Sequence, residues 1–463
     1  MSANSDPTGY TATELVQLYA AGTLSPVDVV ESVFSVIEER EPELNAFVMT
    51  APDEALAAAR RSEQRWREGR PCGAIDGVPT TTKDIIAVRG WPTRKGSLTT
   101  AGNPADDVDA PTTCNLLNNG AILLGKTTTP EFGWKAVTDS PLTGATRNPW
   151  DTELTPGGSS GGAAAACAAG MGPLHVGTDG GGSIRIPASF TGIFGLKPTF
   201  GRVPAFPHSP FGTLAHIGPM TRTVADAELM FRVLCEQDAR DPCAVRPDYI
   251  EQQSPDGSQW SGKRVAFIER IAGIDVDPEV DGVVKSTLQK LEALGATVAP
   301  ITLDDDVDIR EIFRMHWYSG ARQLARAFSN DDMARLDPGF REVVEESREF
   351  TLDECQDAAI RRIQISSRLE QLHDKFDVLV SATVPIKPFP VNQEVADPAH
   401  QRRWIDWAQY SYLFNLSQQP AASVPCGFTP DGCPVGLQIV GPRFSDYRLL
   451  GLCAGLEQAL ASA

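Results

Sequence analysis

The tightest constraint on this chain lies between Trp150 and Gly201, a stretch that holds 13 of its 40 glycines. Most of them fall in two knots, Gly157-Gly158-Ser159-Ser160-Gly161-Gly162 and Thr178-Asp179-Gly180-Gly181-Gly182-Ser183-Ile184-Arg185, which set Ser159 and Ser183 in turns 24 residues apart. Glycine at this density means backbone conformations closed to residues with a Cβ, or very close approach to another group. Bare N–H groups in such turns are natural donors to a developing oxyanion. Gly/Ser composition alone also makes flexible linkers. Here, however, the nearly all-alanine run from Gly162 to Gly170 follows directly and reads as a tightly packed helix whose N-terminus points at the serine turn.

A third element lies upstream in Asp76-Gly77-Val78-Pro79-Thr80-Thr81-Thr82-Lys83-Asp84, where one lysine follows a β-branched run that reads as a strand. A serine hydroxyl is a poor nucleophile without a nearby base. A lysine serves as that base only when burial keeps it neutral. With these three segments in view, the chain resembles the amidase signature family, serine hydrolases with a Ser-cisSer-Lys triad. Further blocks carry the likeness: Glu14-Leu15 with Gly22-Thr23-Leu24-Ser25, Asn45-Ala46-Phe47, Arg147-Asn148-Pro149-Trp150-Asp151, Gly195-Leu196-Lys197-Pro198-Thr199 and Pro434-Val435-Gly436-Leu437-Gln438. It runs almost end to end and is thinnest between about Asp241 and Phe376.

The resemblance implies that Lys83 is the base, that Ser159 relays the proton after a cis peptide bond from Gly158, and that Ser183 attacks the carbonyl. It implies that Gly180, Gly181 and Gly182, with Ser183, offer their amides to the oxyanion while Asp179 and Arg185 hold the loop in shape. No metal or organic cofactor is required. Three residues past the nucleophile, where family members with an arginine hold a carboxylate and the A subunits of the glutamyl-tRNA amidotransferases carry a glutamine, this chain has Ile186. That residue points to an apolar acyl group, aliphatic or aryl. A second departure is Gln418, in the block Asn415-Leu416-Ser417-Gln418-Gln419-Pro420-Ala421, where the family commonly has glycine.

Composition narrows the alternatives. The net charge of −19 repels phosphate backbones and argues against nucleic-acid binding. The nine cysteines are odd in number, scattered and without a CxxC pair, a pattern of reduced thiols in a cytoplasmic protein and not of a disulfide framework or zinc site. Neither a signal peptide nor an apolar run approaching 18 residues stands out, so no membrane attachment is expected.

The periodicity predicts a helix from Ser25-Pro26 through Ile37, another over Pro52 to Gly69, an amphipathic one over Asp281 to Leu294, and one at Thr113 to Leu117. Val78 to Thr82, Ala121 to Leu124 and Val378 to Val380 read as strands. Thr297 to Thr302 reads as an edge strand because of its proline, and Leu303 to Asp308 as a solvated loop. The expected fold is α/β: a single large domain over residues 1–463 with a mixed sheet covered by helices, a motif-rich core at about 70–235 and a less typical segment at about 241–376.

Two rival motifs compete with these assignments. Gly157 to Gly161 matches the G-x-S-x-G nucleophile elbow, which would make Ser159 the nucleophile, but Thr155-Pro156 before it is poor strand material. Gly120 to Thr127 matches the phosphate-binding P-loop, yet its four central residues are apolar and strand-like, and Pro130 interrupts the helix that should follow. His175 reads as a satisfied core histidine. The aromatic clusters His316-Trp317-Tyr318 and Arg403 to Trp407 either pack or line a pocket. The expectation is therefore an amidase acting on a small-molecule amide, with a homodimer as a family habit. The amidotransferase role, release of ammonia from glutamine, is the alternative within the family, and a nucleotide-dependent enzyme the alternative outside it.

Overall fold

The computed structural model describes residues 6–245, 260–303 and 308–462. Its strands are β1 (Phe47–Thr50), β2 (Pro79–Lys83), β3 (Ile122–Thr127), β4 (Asp139–Ser140), β5 (Gly144–Ala145), β6 (Leu174–Asp179), β7 (Phe194–Lys197), β8 (His216–Thr221), β9 (Arg264–Ile271), β10 (Thr297–Leu303), β11 (Val378–Ala382), β12 (Ala421–Phe428) and β13 (Pro434–Val440). Apart from the β4–β5 ribbon they form one 11-stranded sheet in the order β1-β3-β2-β6-β8-β7-β12-β13-β11-β9-β10. Pairing is parallel for β3-β2-β6 and for β11-β9-β10, and antiparallel elsewhere. The mixed α/β sheet and single domain expected from the sequence are what the chain forms. Because β9 to β11 complete the sheet, the less typical segment is part of the same layer.

Alternation along the strands buries both faces. In β9, Val265 and Phe267 join a core with Phe231, Leu288 and Leu456 from the helices Val224–Leu234, Pro278–Ala293 and Asp446–Ala461. Their neighbours Ala266 and Ile268 face a second core with Phe313, Phe340, Ile365 and Tyr410, supplied by helices Ile309–Ala325, Pro338–Glu346, Leu352–Leu372 and Gln409–Leu416. Such two-sided cover is what a sheet with buried parallel strands needs.

Local signals match the observed elements closely. Ser25 caps the helix Pro26–Leu44 by accepting from the Val27 amide at 3.0 Å. The second helix spans Pro52–Arg67, and β10 occupies a sheet edge, where Pro300 leaves no central ladder incomplete. The solvated-loop reading of Leu303 to Asp308 falls largely on residues 304–307, outside the described ones. The P-loop match is a fully buried strand that runs on through Gly125 to Thr127, three residues beyond the expected Leu124, with helix Pro111–Asn118 before it. All nine cysteines are free thiols. No helix among the described residues is long and apolar enough to cross a membrane.

The alanine helix, Gly161–Ala168, is wedged against the sheet so closely that its first two residues have no room for a side chain. A Cβ on Gly162 would stand 2.3 Å from Thr128 Oγ1 and 2.5 Å from both the Ala46 carbonyl oxygen and the Thr128 amide nitrogen. Gly282, in the exposed interior of helix Pro278–Ala293, has nothing within 4 Å of the same position. Gly162→Ala should therefore cost at least about 1–3 kcal/mol of stability through overpacking against backbone. Gly282→Ala should add about 1 kcal/mol by helix propensity. Thermal or urea unfolding of the two variants checks both signs.

Candidate active site

The parallel strands β2 and β6 pair Thr80↔Leu174, Thr81↔His175 and Thr82↔Val176, so Lys83 at the end of β2 arrives beside Thr178 and Asp179 at the end of β6. Sites in α/β proteins favour this carboxyl edge of parallel strands. The chain then turns through Gly180, Gly181 and Gly182 to Ser183, while the loop ahead of the alanine helix brings in Ser159 and Ser160 from the other side. The two serine loops are joined directly: the Ser160 amide donates to the Ser183 carbonyl at 3.1 Å. The Gly158–Ser159 peptide bond is cis, as the resemblance implies.

The glycines in both loops mark places where the chain is pressed against its neighbours. A Cβ on Gly158 would lie 2.5 Å from the Val137 carbonyl, and one on Gly161 2.3 Å from Thr138 Oγ1. Thr138 is the post between them, donating to the Gly157 carbonyl at 2.8 Å and accepting from the Gly161 amide at 3.0 Å. In the second loop, Gly180 abuts Trp317, Gly181 abuts Trp404 and Phe313, and Gly182, at φ 122°, would place a Cβ 2.2 Å from Ser411 Oγ. Aromatic rings thus fill the space that side chains on the loop would need.

Lys83 is fully buried. Its Nζ lies 2.7 Å from Ser159 Oγ, 2.9 Å from Ser160 Oγ and 3.0 Å from Thr178 Oγ1, and no described carboxylate comes within 4.0 Å. Burial pushes its pKa well below 10.5, with the Asp179 charge opposing only in part. Ser160 Oγ spends its own proton on the Thr178 carbonyl at 3.1 Å, so toward Lys83 it can only accept. Ser159 is 2 % exposed and Ser183 6 %, and both line one cavity.

Asp179 fixes the glycine loop. Its carboxylate takes a two-pronged pair from Arg185, Nε to Oδ2 and Nη2 to Oδ1 at 2.9 Å each, and accepts from the amides of Gly182 at 2.7 Å and Ile184 at 3.2 Å and from Asn415 Nδ2 at 2.8 Å. Burial alone would raise the Asp179 pKa, but Arg185 and these donors hold it far below the usual carboxylate range. Arg185 also donates to the Ser411 carbonyl, Gln438 Oε1 and Asn415 Oδ1. The set of loop amides free to meet a ligand is narrowed as a result. The Gly182 amide is engaged by the carboxylate, which leaves the amides of Gly180, Gly181 and Ser183 without an acceptor among the described residues.

The cavity holds about 170 Å³, with Ser159, Thr178, Gly180 and Ser183 at its base and mainly apolar walls that include Ile85, Ile86, Phe132, Phe211, Ile217 and Trp317. Ile186 is not on those walls. It is fully buried, packed behind Gly157 and Gly182 in a core shared with Phe190 and Trp407. The sequence reading also passed over Ser160 and Thr178 as partners of Lys83, although both stand inside the quoted motifs. Asn415 and Gln438, quoted only as family blocks, are ligands of Arg185. Of the aromatic clusters, Trp317 reaches the cavity, where its ring stacks on Phe211 with centroids 3.9 Å apart. His175 is a core residue bonded to Thr81 Oγ1 at 2.8 Å and the Gly172 carbonyl at 2.9 Å, with burial taking its pKa down to about 4. Ahead of Ser159 there is no strand to form a nucleophile elbow. No cluster of potential metal ligands occurs among the described residues.

Known proteins resemble the chain along almost its whole length. A family model described as Amidase matches residues 28–450. An acylamidase of Rhodococcus erythropolis is 34% identical over 455 residues, covering 96% of this chain and 94% of that relative. In Chloroflexus aggregans, the A subunit of glutamyl-tRNA(Gln) amidotransferase is 35% identical over 473 residues, covering 93% and 92%. The crystal structure of a bacterial aryl acylamidase of the amidase signature family superimposes with a TM-score of 0.90 at 30% identity over 97% of this chain and 96% of that one.

Removing one side of the Asp179–Arg185 pair would strand a fully buried guanidinium. Asp179→Asn should cost about 3–5 kcal/mol, read by urea unfolding at neutral pH. Because the folded-state pKa of Asp179 is depressed, its contribution is present in full above the unfolded value of about 3.9 and is lost as pH falls toward the folded one. The stability gap between wild type and Asp179→Asn should narrow as the pH falls below about 4.

Proposed function

The chain belongs to the amidase signature family and is an amide-hydrolysing enzyme, and on that premise we propose that it cleaves its substrate through an acyl-enzyme on Ser183, with Ser159 as proton relay and Lys83 as base. One observation carries this reading: an amine buried among three hydroxyls with no described carboxylate within 4.0 Å to keep it charged.

Proton counting gives the relay its direction. A neutral amine has two N–H groups and one lone pair. Ser160 Oγ takes one N–H, since its own proton is committed. With the second N–H on Thr178 Oγ1, the lone pair is left for the Ser159 hydroxyl. Ser159 then gives its proton to Lys83 as it accepts the proton of Ser183, whose Oγ bonds to the amide carbon. The amides of Gly180, Gly181 and Ser183 receive the oxyanion. As the tetrahedral species collapses, the proton returns from Lys83 through Ser159 to the leaving nitrogen, and the amine or ammonia departs. Water, deprotonated by the same relay, hydrolyses the acyl group and regenerates Ser183.

The mainly apolar walls support an aliphatic or aryl acyl group. That reading now rests on Phe132, Phe211, Trp317 and their neighbours, since Ile186 stands behind the loop. The amidotransferase relatives keep glutamine on the test panel. Ammonia or amine release should be measured for wild type and Ser183→Ala on aliphatic, aryl, dicarboxylic and amino-acid amides, glutamine included. We expect Ser183-dependent release from apolar amides, with turnover in Ser183→Ala lower by about 10⁶ if the three residues act as a unit. A loss below about tenfold would remove Ser183 from the role of nucleophile, and activity on glutamine alone would favour the amidotransferase reading.

Lys83 must be neutral to act, so activity should rise with pH as its proton leaves. The acid limb of kcat/KM is expected well below 10.5, because burial lowers this pKa. A pH–rate profile reads it, and residual activity in Lys83→Met should lose that limb.

A further inference from the structure

We infer that Lys95 is an anion-recognition residue of the active-site cavity, and that the enzyme prefers amides whose apolar portion ends in a carboxylate with no ammonium group beside it. This inference rests on the amide-hydrolase reading and specifies its substrate class.

Lys95 is half-buried and lines the same cavity as Ser159 and Ser183. Although the chain carries 60 acidic residues against 41 lysines and arginines, no described carboxylate lies within 4.0 Å of its ammonium, and no hydrogen bond to a described residue satisfies it. Its position is fixed by the backbone. Lys95 adopts φ 53°, a left-handed conformation uncommon for a residue with a Cβ. It is held there by its N–H, which donates to the Asp84 carbonyl at 3.1 Å, and by its carbonyl, which accepts from the Phe132 amide at 2.7 Å. A strained backbone pinned between the residue after Lys83 and a residue of the cavity wall places this lysine with respect to the site.

The surrounding charges leave its positive field uncancelled. The Asp84 carboxylate is engaged through Oδ1 by the Arg94 amide at 3.3 Å and by Lys126 at 3.6 Å, and although its Oδ2 has no hydrogen-bond partner, neither oxygen comes within 4.0 Å of the Lys95 ammonium. Asp179, the only acid on the cavity wall among the described residues, is neutralised by Arg185. Arg94, next in sequence, likewise has no described carboxylate within 4.0 Å, and its buried Nε has no hydrogen-bond partner. A cation partly withdrawn from water in an apolar chamber, without a counter-ion, favours an anion that enters with the substrate. The cavity wall offers an ammonium group no free carboxylate, since Asp179 has no oxygen to spare, and an unpartnered acceptor there, Nε2 of His216, is uncharged. Amides with a carboxylate alone should therefore be preferred to zwitterions such as glutamine.

The test uses matched anilides on the full-length protein. One pair compares an ω-carboxyalkanoyl anilide with the alkanoyl anilide of equal length. The other compares an alkanoyl amide of 4-aminobenzoate with the corresponding anilide. Binding is measured by calorimetry on Ser183→Ala, so it does not depend on turnover. We expect the carboxylate member of at least one pair to bind about tenfold or more tightly, one charge-assisted contact being worth that much. The preference should be lost in Ser183→Ala/Lys95→Met and retained in Ser183→Ala/Lys95→Arg. Equal binding within both pairs, or a preference that survives Lys95→Met, overturns the inference. A Lys95-dependent preference in an enzyme that shows no Ser183-dependent turnover of any anilide would instead overturn the acyl-enzyme reading while leaving this one standing.

Discussion

Everything around the site depends on keeping one amine out of water and away from acids. A lysine in contact with solvent or a carboxylate stays protonated and has no lone pair to offer. Lys83 escapes both fates because β2 is an interior strand, because the last residue but one of β6 is a threonine whose hydroxyl can share the amine, and because the turn leading into the alanine helix covers it with the hydroxyls of Ser159 and Ser160. The acid that follows on β6, Asp179, would undo the arrangement if it paired with Lys83. Its carboxylate is instead drawn into the two-pronged pair with Arg185.

That pair links sequence-distant segments. Arg185 reaches the helix Gln409–Leu416 through Ser411 and Asn415, and β13 through Gln438, more than 220 residues away in each case. The glycine loop is therefore shaped both by its own sequence and by contacts that exist only when the C-terminal strands are in place. A fully buried ion pair is weak evidence for stability in itself. Here its hydrogen bonds go to the backbone of the loop, and it acts as a spacer that sets where Gly180, Gly181 and Ser183 present their amides.

Much of this was legible in the chain. Strands, helices and the edge position of β10 followed from periodicity, proline placement and capping. The proposed triad residues, with Asp179 and Arg185, came from motifs that the sheet brings together, since β2 and β6 are parallel neighbours. What escaped was three-dimensional. Ile186 occupies a position in the motif that suggested a substrate contact, yet the short helix Arg185–Thr191 turns it into the core behind Gly157, a direction that sequence spacing does not reveal. The cavity walls could not be read because they are assembled from separate stretches at residues 85–86, 132, 205–217 and 317 that share no pattern. Gln418 shows the reverse case. Marked as a departure from glycine, it sits at φ 63°, the left-handed conformation that explains why glycine is common there.

The bond from the Ser160 amide to the Ser183 carbonyl fastens the loop of the proposed relay to the loop of the proposed nucleophile, and both rest on one half of the sheet. The chamber walls at residues 205–211 and at Trp317 come from outside that unit, whereas Ile85 and Ile86 follow directly on Lys83, and Ile217 pairs with Thr178 across β8 and β6. In the proposed mechanism, part of the selectivity is thereby separable from the chemistry. Those outer walls can diverge, widening or narrowing the range of acyl groups admitted, while the spacing of Lys83, Ser159 and Ser183 stays as it is, and one scaffold can be retuned to many amides.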